Sequence, residues 1–172
     1  MKSVVPSVLV LLCASSTAVQ TSPSAIDVTA EEIQAALKQT ADRRVSDQAI
    51  RMADVGGYNV GIGVVHRSEG PQGAIAHSKI TEVYHVMEGA GTLVTGGTLV
   101  DPRPSPPESQ VVTVLNGPST GGSSIQAGQS RRIKAGDVVI LPPNTPHWFS
   151  AMEGTIVYLV VRMDPEQVVR LK

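Results

Sequence analysis

The chain has 172 residues, which is enough for one domain with a substantial core and too few for two. Hydrophobic residues make up 41% and charged residues 17%, a composition typical of globular proteins and not of disordered ones. The formal net charge is -1 and aromatic residues make up only 3%. With neither a basic stripe nor a set of stacking side chains, we expect no binding to nucleic acid.

Residues 1–18 have the features of a signal peptide. Lys2 is followed by a short apolar run at 8–12 and by small residues up to Ala18, after which we predict cleavage. The apolar run is too short to span a bilayer, so we expect a secreted or periplasmic protein without a membrane anchor. An uncleaved, membrane-tethered start is the alternative. Cys13 is the only cysteine, so the mature chain would have no thiol for catalysis, disulfides or metal binding.

Residues 19–48 are predicted to form a linker and an N-terminal helix. Thr29 and Glu32 have the spacing of a capping box, and apolar residues at helical spacing follow them. We expect a short helix over about 30–39 that packs on the outside of the following domain.

From residue 49 the pattern changes to short segments with β-branched or aromatic residues at alternating positions. Glycine and proline turn signals separate these segments, and no stretch has the length and periodicity of a second helix. We therefore predict one all-β domain, a sandwich or barrel, over 49–172. The predicted strands are 49–55, 58–66, 82–87, 91–100, 111–115, 138–141 and 156–161.

A segment rich in proline, glycine and serine, at about 96–130, interrupts the strand pattern. Long irregular segments in compact domains serve as lids or binding loops, or are mobile surface insertions. The sequence leaves these alternatives open.

Two motifs carry the chemistry. In the first, over 77–89, a histidine (His77) precedes a glutamate (Glu82), and Gly89 lies seven residues beyond it. In the second, over 136–147, a glycine is followed after six residues by Pro142, then by a tight turn and His147. The two motifs, in this order, resemble those of the cupin family, and the resemblance covers roughly 58–162.

The resemblance implies an antiparallel jelly-roll β-barrel that holds one divalent metal ion between His77, Glu82 and His147. Imidazole and carboxylate ligands suit iron(II), manganese or zinc. Because strand side chains alternate between faces, an inward Glu82 places Tyr84 inside as well and turns His85 away from the site.

The sequence departs from the cupin pattern at Ile75, where the family usually has a further histidine. The remaining two histidines and one glutamate resemble the facial triad of non-haem iron oxygenases. A weakly binding or inactive site is the alternative. The usual glycine of the second motif is Asn144, which tolerates a left-handed backbone better than most residues.

Tyr84 and Lys79 are the candidate catalytic residues besides the ligands. Tyr84 either donates a hydrogen bond to a bound molecule or fills the barrel. Lys79 either reaches an anionic substrate or lies exposed in a loop. Arg162 is expected at the surface, although it has the chemistry to bind a carboxylate.

The leading functional hypothesis is a dioxygenase-like oxidoreductase that acts on a small hydroxylated or carboxylated molecule. The alternatives are a non-catalytic module that binds a sugar or organic acid, and a metal-dependent isomerase. We also expect a homodimer formed through the outer sheet face that bears Val83, His85 and Met87.

Overall fold

In the computed structural model, the described residues are 24–39, 44–70 and 72–171. The predicted signal peptide lies outside the described residues, so its cleavage and the predicted export remain predictions. Within the described residues, none of the helices combines the length and the apolar character needed to cross a membrane.

The predicted N-terminal helix is confirmed as α1 (Ala30–Lys38). Both halves of the capping box are present: Thr29 accepts a hydrogen bond from the Glu32 amide at 3.2 Å, and Glu32 accepts one from the Thr29 amide at 2.8 Å. The second carboxylate oxygen of Glu32 accepts from Arg51 at 2.6 Å. This bond ties the helix to the strand that bears Arg51, on the outside of the barrel.

Antiparallel strands form two main sheets and a small ribbon, consistent with a cupin jelly-roll. The five-stranded sheet has the order β1-β2-β13-β4-β11, the six-stranded sheet the order β10-β5-β12-β3-β8-β7, and β6 pairs with β9. The strands are β1 (Val45–Asp54), β2 (Asn59–Arg67), β3 (Ala74–His77), β4 (Thr81–Glu88), β5 (Ala90–Thr95), β6 (Thr98–Val100), β7 (Arg103–Pro104), β8 (Ser119–Gly122), β9 (Ser124–Gln126), β10 (Gln129–Lys134), β11 (Val138–Leu141), β12 (His147–Met152) and β13 (Ile156–Asp164).

The main core lies between the two large sheets. Alternate residues of β4 and β13 point into it, among them Val86, Tyr158 and Val160, and they meet Leu93 of β5 and Phe149 of β12. This alternation, which in β13 holds from Tyr158 onward, explains why the apolar pattern of the sequence predicts the central strands well.

The predicted strand over 111–115 is wrong: Val111–Asn116 forms a single π-helical turn. Val111 and Leu115, four residues apart, both face the interior cavity, which is a helical spacing. A short apolar run fits either type of element, so its periodicity cannot decide between them.

The segment over 96–130, predicted to be irregular, contains regular secondary structure. It contains β6, β7, β8 and β9 as well as the π-helical turn. The first strand, β1, starts at Val45, four residues before the predicted strand over 49–55.

Candidate metal centre

Three elements that are distant in sequence bring the predicted ligands together. His77 ends β3, Glu82 lies on β4 and His147 begins β12. All three are buried, and their ligand atoms lie within 4.8 Å of one another. The Oε2 atom of Glu82 is 3.5 Å from Nε2 of His77 and 3.6 Å from Nε2 of His147.

The hydrogen bonds of the two imidazoles determine which nitrogen faces the carboxylate. The Ser119 hydroxyl donates its single proton to the Gly117 carbonyl at 2.8 Å, so it can only accept from Nδ1–H of His77, also at 2.8 Å. Nδ1–H of His147 donates to the Thr145 carbonyl at 3.0 Å. Both Nε2 atoms therefore present a lone pair to the centre.

Glu82 is held at both of its oxygens. Oε1 accepts from Nε of Arg162 at 3.0 Å, and Oε2 accepts from the Tyr84 hydroxyl at 2.8 Å. Burial alone would raise the pKa of Glu82, but the positive charge around it, which at neutral pH comes from Arg162, holds the pKa well below its ordinary range. Glu82 is therefore a carboxylate at neutral pH.

The protonation of the neighbouring groups suits cation binding. Burial lowers the pKa of His147 to about 4, although the charge of Glu82 opposes this shift. His147 is therefore neutral at pH 7, as a metal ligand must be. Burial and the negative charge of Glu82 raise the pKa of Tyr84 well above its usual value, so its hydroxyl keeps its proton as a donor.

The turn before His147 is hydrogen-bonded to His77 and so positions the two histidines relative to each other. Asn144 has a positive φ of 62°, the left-handed backbone anticipated for this position, and its amide donates to the His77 carbonyl at 2.7 Å. Across the sheet, His147 pairs with Ile75. The position where cupins usually have a further histidine thus places an isoleucine beside the centre.

The donor set fits a divalent cation. A cation about 2.1 Å from each ligand needs donors about 3.0–3.4 Å apart, close to the distances found between Glu82 and the two imidazoles. Two nitrogen lone pairs and an anionic oxygen converge here, and such an arrangement of acceptors is unfavourable unless a positive charge lies between them. His77, Glu82 and His147 are therefore the residues that would hold the ion.

The centre opens into a cavity of about 180 Å³. Ile75 and the π-helical turn residues Val111, Leu115 and Asn116 form part of its wall, so the segment over 96–130 helps to enclose the site. Tyr84 also lines the cavity, as expected of a residue on the same strand face as Glu82.

The structure does not bring Lys79 to the centre. Its ammonium group bonds to Glu166 at 2.8 Å, its side chain is partly exposed, and Lys79 does not line the cavity. His85 points outward from β4 and is exposed, as the alternation of the strand predicts.

Arg162 and Asp47 were missed as part of the site. Arg162 was expected at the surface, but it is buried and donates to Asp47 as well as to Glu82. A signal was available for Arg162, because it occupies the inward register of an apolar strand, two residues after buried Val160. No sequence pattern indicated that Asp47, or Ser119 in the glycine- and serine-rich segment, would lie at the site.

Fold and site together define a jelly-roll barrel protein with a candidate metal centre. The model of the Cupin family matches residues 40–171, and the chain therefore belongs to this family. No curated protein has a matching sequence.

Several solved structures are similar at low sequence identity. The BH2720 protein from Bacillus halodurans has a TM-score of 0.47 at 11% identity, with 82% of this chain and 83% of that one covered. A recombinant oxalate oxidase in complex with glycolate has a TM-score of 0.45 at 18% identity, over 74% and 54% of the two chains. The DMSP lyase DddQ from Ruegeria pomeroyi DSS-3 has a TM-score of 0.43 at 14% identity, over 72% and 49%. The chain thus spans about half the length of some of these proteins.

Proposed function

We propose that the protein is a metal-dependent enzyme with a 2-His-1-Glu centre that acts on a small molecule inside the barrel, in the manner of a dioxygenase. The convergence of two Nε2 lone pairs on the Glu82 carboxylate, at 3.5 and 3.6 Å from Oε2, carries the proposal. A divalent cation supplies a Lewis acid and, in the case of iron(II), an open-sided centre for reaction with dioxygen.

The chain's own residues have defined tasks in this proposal. His77, Glu82 and His147 hold the cation, while Arg162 fixes the orientation of the Glu82 carboxylate. The Tyr84 hydroxyl, kept protonated by its raised pKa, lies beside the ligands and gives its single proton to Glu82. It can donate to a bound molecule only by turning that proton away from Glu82. The apolar part of the cavity wall, formed by Val45, Ile75, Val111 and Leu115, limits access of water to the reacting molecule.

The first test is the metal content of the purified protein. We expect close to one equivalent in the wild type and the loss of most of it in His77→Ala and Glu82→Ala, because a cation loses affinity with each missing ligand. His85→Ala, which removes an exposed histidine from the opposite face of β4, is the matched control and should keep the metal. Full metal content in either ligand variant would remove that residue from the site.

A second measurement separates the reaction classes. The iron(II)-loaded protein is incubated with small hydroxy acids, carboxylic acids and phenols, and oxygen consumption and product formation are followed. Oxygen consumption that requires His77 and Glu82 supports the dioxygenase. Product without oxygen consumption indicates an isomerase, and ligand binding that survives metal removal without turnover indicates a binding module.

We also propose that two copies associate through the outer face of the five-stranded sheet. Val138 and Ile140 on the edge strand β11 are 61% and 65% exposed, and they pair across the sheet with His85 and Val83. An exposed apolar edge of this kind favours a partner. Export of the chain rests on the sequence of residues 1–18 alone.

A further inference from the structure

Arg67, at the end of β2, is a cation without an anionic partner among the residues that the structure describes. Its Nε donates to the Tyr158 hydroxyl at 2.9 Å and one terminal nitrogen donates to the Gln72 side chain at 3.1 Å. Both acceptors are neutral groups at pH 7. Its guanidinium carbon also lies 5.4 Å from the centre of the Phe149 ring, a distance typical of cation–π contacts.

No carboxylate in the described ranges forms an ion pair with Arg67, in contrast to Arg162, Arg51 and Arg132. Asp47, an acidic group that lines the same cavity, accepts two hydrogen bonds from Arg162 instead. A guanidinium has five donors in a planar fork, and within the described residues Arg67 uses two of them. Arg67 therefore keeps donors for a further acceptor.

The same cavity contains Arg67 and the candidate metal centre. Asn116, which is 7% exposed, also lines this cavity, and its Oδ1 is buried without a hydrogen-bond partner in the described part of the chain. Buried polar atoms are rarely left unpaired, so an unpaired acceptor on a cavity wall indicates a missing donor. A hydroxyl group of a bound molecule would supply one.

Charge and volume restrict what this cavity accepts. Its wall has two carboxylates, Asp47 and Glu82, and two guanidinium groups, Arg67 and Arg162, so a divalent cation adds two uncompensated positive charges. An anionic ligand would offset them. The volume of about 180 Å³ lies below the roughly 300–1,000 Å³ of pockets for drug-sized ligands, so the ligand has few non-hydrogen atoms.

We propose that Arg67 binds the carboxylate of a small hydroxy acid, whose hydroxyl reaches Asn116 and the metal centre. This inference rests on the proposed function, because it names the substrate class of the same site. The planar fork of arginine matches a carboxylate, and the aromatic rings beneath it hold the fork in place.

The test is a calorimetric titration of the full chain with lactate and, separately, with its neutral counterpart lactamide. Each titration is done on metal-free protein and on protein loaded with zinc, which has no redox chemistry of its own. We expect lactate to bind better than lactamide in both states. Arg67→Met should weaken lactate binding by at least about tenfold, since it removes a charge-assisted pair, and should leave lactamide binding nearly unchanged.

Two further variants make the test decisive. Arg132→Met removes an exposed arginine that pairs with Glu153 and should bind lactate as the wild type does. Arg67→Lys keeps the charge without the fork and should bind with intermediate affinity. If circular dichroism shows that Arg67→Met does not fold, Arg67→Lys and the preference of the wild type for lactate over lactamide decide the question.

Equal binding of lactate and lactamide by the wild type, or unchanged lactate affinity in the Arg67 variants, would overturn the proposal. The proposed metal-dependent function fails separately, if the wild type takes up no metal. In that case a lactate preference that requires Arg67 in the metal-free protein would still establish the carboxylate site.

Discussion

At the scale of single residues, the hydroxyl of Ser119 decides which nitrogen of His77 faces the carboxylate. Replacing it with alanine leaves the buried Nδ1–H without its acceptor and frees the ring to turn. We expect Ser119→Ala to keep the fold and to weaken zinc binding about 10- to 100-fold, the usual effect of losing such a supporting bond. Competition with a chelator measures this affinity.

Ser123→Ala is the matched control, because its hydroxyl is exposed and bonds only to Val100 and Asp101 near the same segment. It should bind zinc as tightly as the wild type. Unchanged zinc affinity in Ser119→Ala would show that the tautomer of His77 does not depend on this hydroxyl.

The candidate ligands could be predicted from sequence, because the spacing of two short motifs and the alternation of β4 place them. The groups that support them could not. Asp47 and Arg162 are 115 residues apart in sequence, and a contact between such distant residues produces no periodic pattern that could reveal it. Lys79 had the right chemistry but lies in a bend where alternation does not apply, and its partner Glu166 is 87 residues away.

At the scale of elements, the turn between β4 and β5 depends on Gly89. An added Cβ there would lie 1.9 Å from the Thr155 carbonyl oxygen, at a φ of +76°. Gly154 has nearly the same φ, +77°, but no atom within 4 Å of its added Cβ. We expect Gly154→Ala to lower the free energy of unfolding by about 1–2 kcal/mol, through backbone strain alone.

Gly89→Ala combines that strain with an overlap of backbone atoms and should lower the free energy of unfolding by at least about 2 kcal/mol more. Urea unfolding of the two variants, followed by circular dichroism, measures the difference. Equal losses of unfolding free energy in the two variants would mean that the turn at Gly89 shifts easily. The turn would then not fix the position of β4, the strand that bears Glu82.

Elements could be predicted where one face of the strand is apolar, and not elsewhere. The missed strand β10 has the sequence Gln-Ser-Arg-Arg-Ile-Lys, and only Ile133 is buried. It belongs to the sheet through backbone hydrogen bonds with β5, and such bonds produce no hydrophobic pattern in the sequence. The π-helical turn was missed for the opposite reason, since its apolar run fits two kinds of element.

At the scale of the whole molecule, the proposed dimer predicts a change in mass on a single substitution. Ile140→Lys places a charge in the centre of the exposed edge and should convert a dimer to a monomer, because burying an unpaired charge is unfavourable. Ile26→Lys is the control, since Ile26 is 50% exposed and lies beside β1, at the opposite edge of the sheet. Sedimentation velocity measures both.

A wild type that sediments as a monomer at all concentrations would contradict the dimer. A dimer that persists in Ile140→Lys would place the contact on another face of the barrel.

The bond between Asp47 and Arg162 links the position of the Glu82 carboxylate to the stability of β1. Asp47 lies on β1, the outermost strand of its sheet, and it shares the guanidinium that steadies Glu82. Local unfolding of β1 would release the Arg162 guanidinium and let the Glu82 carboxylate turn away from the centre. The centre would then open although none of its ligands had been removed. Escape of a bound ion would thereby be coupled to local opening of β1, which helix α1 restrains through the pairing of Glu32 with Arg51.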